Sequence, residues 1–318
     1  MARAAALAGA AAAGPRRVFA AGPWVGAASG PTGAIAAGTG TRSAIDGATR
    51  AAAPGAPGGS GPAGGRGIAV ALGSGSRHGM VHVGVIGALQ ARGVRPDLIT
   101  GTSAGAIAGA LWAIGLSARG IDDASRSLGW LRGLRPAWPN RGLLHADGVR
   151  RLIEDHAGGR PIERWPVRFA AVATDLRTGR KVVLDRGPGG TAVAASASIP
   201  GLYEPVRVDG RDLVDGGLVE PVPVRTALEL GAARVIAVDI AYRPWEAPVE
   251  SPVDAAFQAI HIAVNALIAE QLEAADVVIR LDVHRHFLEH ADPSDALVAA
   301  GEQAVAANWE RIRPLLRG

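Results

Sequence analysis

The sequence predicts an α/β fold on a largely parallel sheet, and three observations predict it. From Gly67 onward, apolar runs of strand length alternate with longer runs of helical period. Two of the strand-to-helix junctions carry glycine-rich loops, as open α/β sheets require where the chain turns from strand into helix. About 250 residues remain beyond a low-complexity leader, enough for one α/β domain with a full core.

Taken in order, Gly67 to Leu72 reads as a buried strand ending in the loop Gly73-Ser74-Gly75-Ser76-Arg77-His78-Gly79. Val81 to Arg92 reads as a helix with Val81, Val85, Ile86 and Leu89 on one face. Asp97 to Thr100 is a second strand, and it leads through Gly101-Thr102-Ser103-Ala104-Gly105 into the small-residue helix Ala106 to Trp112. Val167 to Thr174 and Lys181 to Leu184 read as strands about a turn at Thr178-Gly179. Later strands fall at Val235 to Asp239 and Val277 to Leu281. Between these last two, a helix from Val253 to Ala274 sets Ala256, Ile260, Val264 and Leu267 on one stripe, and a final helix runs from Asp295 to Leu316. There is no internal repeat.

The leader, residues 1–66, is mostly Ala, Gly, Pro, Ser and Thr without periodicity, so it reads as disordered. Its six arginines against Asp46 give it +5, while the whole chain is +4, so the remainder is near −1. A basic groove for nucleic acid is thereby excluded, although the leader itself could be drawn to acidic membrane surfaces. Without cysteine there are no disulfides or thiolate metal sites. The apolar stretch Ala104 to Leu116 is too short to span a bilayer. Ala4 to Gly14 is a poor signal-peptide core, with Leu7 its one bulky residue, and Arg16-Arg17 follows it rather than preceding it.

Three features gather at one sheet edge if the strands are parallel. Ser103 sits at the apex of a G-x-S-x-G elbow, whose flanking Gly101 and Gly105 keep the strand–helix crossing open. The loop from Gly73 exposes backbone N–H groups at a helix start, suited to the oxyanion of acyl transfer. Asp215-Gly216-Gly217 follows the apolar Leu213-Val214, with a glycine pair that lets another loop approach. A serine needs a base. None of the eight histidines follows an acid in a late strand-to-helix loop, which leaves Asp215 as the base of a Ser–Asp dyad, given a pKa raised by burial. A dinucleotide role for the first loop is disfavoured because its spacing is G-x-G-x-x-x-G, with no acid ending a second strand. His82 reads as structural, bonding a neighbouring loop carbonyl, and Ser196 and Ser198 as a turn supporting the site. His286 and His290 have no third metal ligand in view. The Trp- and Leu-bearing stretch from Leu128 to Leu144 is either a lid touching lipid or an ordinary connection.

In this order these residues resemble the patatin-like phospholipase family, specifically its short bacterial members. The likeness runs from Leu72-Gly73-Ser74-Gly75 and His82-Val83-Gly84-Val85 through Gly101 to Ala106 and Ala173-Thr174-Asp175-Leu176. It continues through Ala197-Ser198-Ile199-Pro200-Gly201 to Asp215-Gly216-Gly217-Leu218-Val219 and Pro221-Val222-Pro223-Val224. The resemblance implies a three-layer α/β/α fold over residues 67–240, with 241–318 a helical extension packed on the same domain. It implies a serine hydrolase of lipid acyl esters, with Ser103 as nucleophile, Asp215 as base and no cofactor. Its oxyanion hole would fall on Gly73, Ser74, Gly75, Ser76, Arg77 and His78, chiefly the amides near Gly75, Ser76 and Arg77. It implies a cytoplasmic or membrane-peripheral protein, export being weakly supported. Two departures stand out: the family's Arg or Lys before the last loop glycine is His78 here, with Arg77 one place earlier, and Glu220 replaces a neutral polar residue. Acyl transfer to an alcohol, or a site silenced by His78 in a regulatory protein, are the competing readings.

Overall fold

The computed structural model describes residues 49–50, 67–127, 142–240, 249–281 and 294–317. The leader apart from Thr49–Arg50, most of the Leu128 to Leu144 stretch, and His284, His286 and His290 lie outside the described residues.

Chain order begins with β1 (Thr49–Arg50) and β2 (Ile68–Leu72), then α1 (Met80–Ala91), β3 (Leu98–Thr102) and α2 (Ala104–Ile114). Next come α3 (Ala118–Ser127), the short β4 (Gly142–Leu144), α4 (Asp147–Ala157), β5 (Arg168–Asp175) and β6 (Lys181–Leu184). These are followed by α5 (Gly189–Ser196), β7 (Gly201–Tyr203), β8 (Val206–Val208), β9 (Arg211–Asp215) and α6 (Val224–Glu229). The chain closes with β10 (Arg234–Asp239), α7 (Pro252–Leu272), β11 (Val277–Arg280) and α8 (Ser294–Ile312).

The sheet runs β1-β6-β5-β3-β2-β10-β11, and the five strands from β5 to β11 in that order are parallel, as the alternation of strand and helix requires. Antiparallel pairing enters at β6, which turns back from β5 through Thr178-Gly179, and at the β8–β9 hairpin. Asp175 Oδ1 accepts from the N–H groups of Arg177 and Thr178 and so fixes the first of those turns.

Alternation along each strand separates two apolar layers. In β2, Val70 and Leu72 face the larger core, built with α1, α2, α4, α5 and α8. Ala69 and Ala71 face the smaller one, where Val224 and Ala227 of α6 and Ile268 and Leu272 of α7 cover the sheet. The result is helices on both faces of one sheet. α1 and α8 cross so closely that a Cβ on Gly84 would stand 1.9 Å from the Val298 carbonyl oxygen. The stripe of α7 that meets the domain is Ile260, Val264, Ile268 and Leu272; Ala256, expected on it, is exposed.

One strand explains how two distant residues meet. β5 pairs with β6 through Ala171 to Thr174, so β3 and β9, which overlap that span, must share its other edge. Along that edge Val172 partners Thr102 and the next residue, Ala173, partners Asp215. β3 stops where β9 arrives, and the residue after Thr102 is Ser103.

Candidate active site

Ser103 stands at the turn between β3 and α2 with φ +56° and ψ −120°, a backbone conformation that L residues rarely occupy. The two glycines make that turn feasible. A Cβ on Gly105 would lie 2.1 Å from the Leu72 carbonyl oxygen, and one on Gly101 would lie 2.6 Å from the Ala106 Cα. The serine backbone is braced from α5: its N–H donates to Ser196 Oγ at 3.0 Å, and Ser196 Oγ in turn donates to the Val172 carbonyl at 2.6 Å. Sequence placed Ser196 only near the site. That its hydroxyl holds the Ser103 amide follows from where α5 ends and has no local signature.

Asp215 ends β9 with both backbone groups tied down. Its N–H donates to the Ser198 carbonyl at 2.8 Å, and its carbonyl accepts from Thr174 Oγ1 at 2.8 Å. The carboxylate accepts from the Gly217 N–H at 2.8 Å, and the Ser103 hydroxyl lies near enough to bear on its titration. Burial pushes this carboxyl up to about 6, against the pull of the Ser103 hydroxyl and the Gly217 N–H toward lower values. Gly216 must be glycine, because a Cβ there would stand 2.1 Å from the Val172 carbonyl oxygen. A serine hydroxyl beside a carboxylate of raised basicity is an arrangement that can serve as nucleophile and base.

The loop after β2 is anchored at several points. Gly73 N–H donates to the Val238 carbonyl at 3.0 Å and Ser74 N–H to that of Pro221 at 2.8 Å. His82, fully buried in α1, donates from Nε2 to the Gly73 carbonyl at 2.8 Å, the loop-carbonyl bond expected of it. That leaves Nδ1 as an acceptor without a hydrogen-bond partner among the described residues, and burial lowers this ring's pKa to about 4. His78, also buried, grips the Gly75 carbonyl twice at 2.9 Å, through its own N–H and through Nδ1. Because the acceptor is a carbonyl, Nδ1 carries the proton. The residue that departs from the family pattern thus serves as a ring donor to the loop.

That grip has a geometric consequence. In a trans peptide the carbonyl and the following N–H point opposite ways, so fixing the Gly75 carbonyl aims the Ser76 N–H away from His78. Ser76 sits at φ +49°. The N–H groups of Gly75 and Ser76 make no hydrogen bond among the described residues, and both residues line the cavity that holds Ser103 and Asp215.

That cavity has a volume of about 220 Å³. Beyond the polar wall it is closed by Ile199, Pro200, Leu202, Leu218, Ile260 and Val264, with His261 beside them. Burial lowers the His261 pKa, so its ring is neutral at pH 7. These apolar side chains come from the loop after α5 and from α7, and sequence periodicity marked only the helix stripe. Glu220 is buried and fully engaged: it accepts from Thr226 N–H and Oγ1 at 2.8 and 2.6 Å and pairs with Lys181 at 2.9 Å. Its carbonyl accepts from Thr102 Oγ1 at 2.8 Å, tying the Asp215 loop to the elbow strand. No group of three or more His, Asp or Glu fit for a metal occurs among the described residues.

Residues 70–228, half of the chain, match the family model described as patatin-like phospholipase. An uncharacterized NTE family protein of Mycobacterium tuberculosis is 38% identical over 184 residues, covering 54% of this chain and 49% of that protein. A second from the same organism is 36% identical over 180 residues, covering 55% and 30%. A protein of Debaryomyces hansenii named as a lysophospholipase is 31% identical over 179 residues, covering 54% and 12%. The chain therefore spans about half the length of the first of these relatives, and less of the others. Among solved structures, VipD of Legionella pneumophila aligns with a TM-score of 0.43 at 13% identity, over 76% of this chain and 66% of that one.

Proposed function

Because this chain belongs to the patatin-like phospholipase family, we propose that it hydrolyses acyl esters of lipids through Ser103 and Asp215. The substrates would be phospholipids, lysophospholipids or acylglycerols. The observation that supports the reading is that Ser103 and Asp215, a buried carboxyl raised to about 6, line one cavity whose other wall is apolar.

In this reading Ser103 Oγ attacks the ester carbonyl carbon while its proton passes to Asp215. The carbonyl π electrons move onto oxygen, where the N–H groups of Gly75 and Ser76 receive the charge. The C–O bond to the alcohol breaks, and the departing oxygen takes the proton from Asp215. Water then attacks the acyl-enzyme, giving its proton to Asp215, and that proton returns to Ser103 Oγ as the fatty acid leaves. The apolar side chains that close the cavity suit an acyl chain, and the neutral His261 leaves Asp215 as the one charged group among the lining residues.

The test is labelling by a fluorophosphonate probe together with turnover of a water-soluble short-chain ester. Wild type should label at Ser103 and turn over, whereas Ser103→Ala should do neither beyond background. Equal turnover by the two proteins would discard the reading, and no label on folded wild type would favour a silenced, regulatory protein.

A further inference from the structure

The helix that lines the cavity with one face leaves in solvent an opposite face that carries no charge until Glu270, which pairs with Arg225. Residues Asp254–Leu272 of α7 are long and apolar enough to cross a bilayer by length and composition, with mean hydropathy 1.2, yet only 18% of that stretch is buried. A helix of such composition in a water-soluble domain normally belongs to the core. Between Asp254 and Glu270 it contains no Asp, Glu, Lys or Arg. Its outward positions, Ala255, Ala259, Ile262, Ala263 and Ala266, are all exposed, Ile262 to 57%. Its inward positions are committed to the domain. Ile260 and Val264 line the cavity, Ile268 and Leu272 pack on the sheet, and Gln271 bonds Val219 and Val222 at 3.1 and 3.2 Å. A helix tied down in this way can rest on a bilayer but cannot be surrounded by one.

We propose that the outer face of α7 is the surface by which the protein sits on a lipid membrane, so that an acyl ester passes from the bilayer over Ile260 and Val264 into the cavity. This rests on the lipid-ester reading above. The absence of fixed charge between Asp254 and Glu270 identifies the partner as a zwitterionic or neutral lipid surface, because recruitment by anionic lipid works through Lys and Arg.

The experiment separates docking from chemistry. Full-length Ser103→Ala protein, which leaves lipid intact, is floated with phosphatidylcholine vesicles. It should co-float, and adding Ile262→Asp or Ala266→Glu should weaken partitioning by about tenfold or more, as expected when an apolar contact is replaced by a charge. In the Ser103 background the same two substitutions should leave turnover of a water-soluble ester unchanged. The proposal is overturned by absence of flotation, or by flotation that neither substitution affects. It is equally overturned by flotation with anionic vesicles alone, which would assign binding to the arginines of residues 1–66. A change from dimer to monomer in Ile262→Asp without loss of flotation would make the face a protein interface instead. Failure of wild type to cleave the soluble ester would fault the catalytic reading, while docking is decided by the vesicles.

Discussion

On one side of the cavity, Ser103, Asp215 and the Gly73–His78 loop are fixed by directional bonds. Ser196 holds the Ser103 amide, Ser198 and Thr174 hold Asp215, and His78 and His82 hold successive parts of the loop. On the other side, Ile199, Leu202, Ile260 and Val264 present only apolar side chains to the cavity, and the helix behind two of them is mostly exposed. The contrast teaches that reaction and access are built by different physics. A polar wall fails abruptly when one bond is lost, because a buried group is then left unsatisfied. An apolar wall changes by degrees, roughly with the area it offers.

The sharpest break falls on the polar wall. Asp215→Asn should lower kcat/KM for a soluble ester by ~10²–10⁴-fold, the usual worth of a positioned base, read by steady-state kinetics. With Asp215 intact, the base is competent only when ionised. The logarithm of kcat/KM should therefore rise with unit slope below about pH 6 and level off above it. A profile flat down to pH 4 would exclude Asp215 from the rate-determining proton transfer.

Stability should separate the same groups. A carboxyl whose folded pKa is raised contributes stability that is full below its unfolded value and lost as pH climbs through about 6. Asp215→Asn should then be more stable than wild type at pH 8, by on the order of 3 kcal/mol, with the gain vanishing near pH 4. His82 works in the opposite sense. Its folded pKa is lowered to about 4, so its contribution is full above about 6.5 and lost as pH falls through that window. Urea unfolding between pH 4 and 6.5 should show Asp215→Asn weakening on acidification and His82→Gln strengthening, while the two contributions oppose each other in wild type.

The smallest effects belong to the apolar wall. Val264→Phe should shift preference toward shorter acyl chains by a few-fold, with turnover of the shortest ester nearly unchanged, in line with the modest discrimination a methylene provides. An effect as large as that of Asp215→Asn would show that the two walls are coupled.

What could be read from the chain follows the same division. The elbow and the Asp-Gly-Gly turn were legible because they demand glycine where any side chain would strike backbone, as at Gly105 against Leu72 and Gly216 against Val172. The parallel strands were legible from unbroken apolar runs such as Val235 to Val238. α3 and α4 were not, since each buries only two or three residues, Ile121 and Ala124 in one and Leu152, Ile153 and Ala157 in the other. The β8–β9 hairpin was not either, and with it went the reason that Asp215 arrives beside Ser103. Ser196 and the α7 wall depend on where separate elements meet, which no local pattern records.

The edge of β5 that seats Thr102 and Asp215 at neighbouring positions acts as a ruler for the pair. Spacing between Ser103 and Asp215 is measured along that single strand, and not along the excursion through α3, β4 and α4 that precedes it. A change in the length of that excursion therefore leaves the register that seats Thr102 and Asp215 at neighbouring positions untouched.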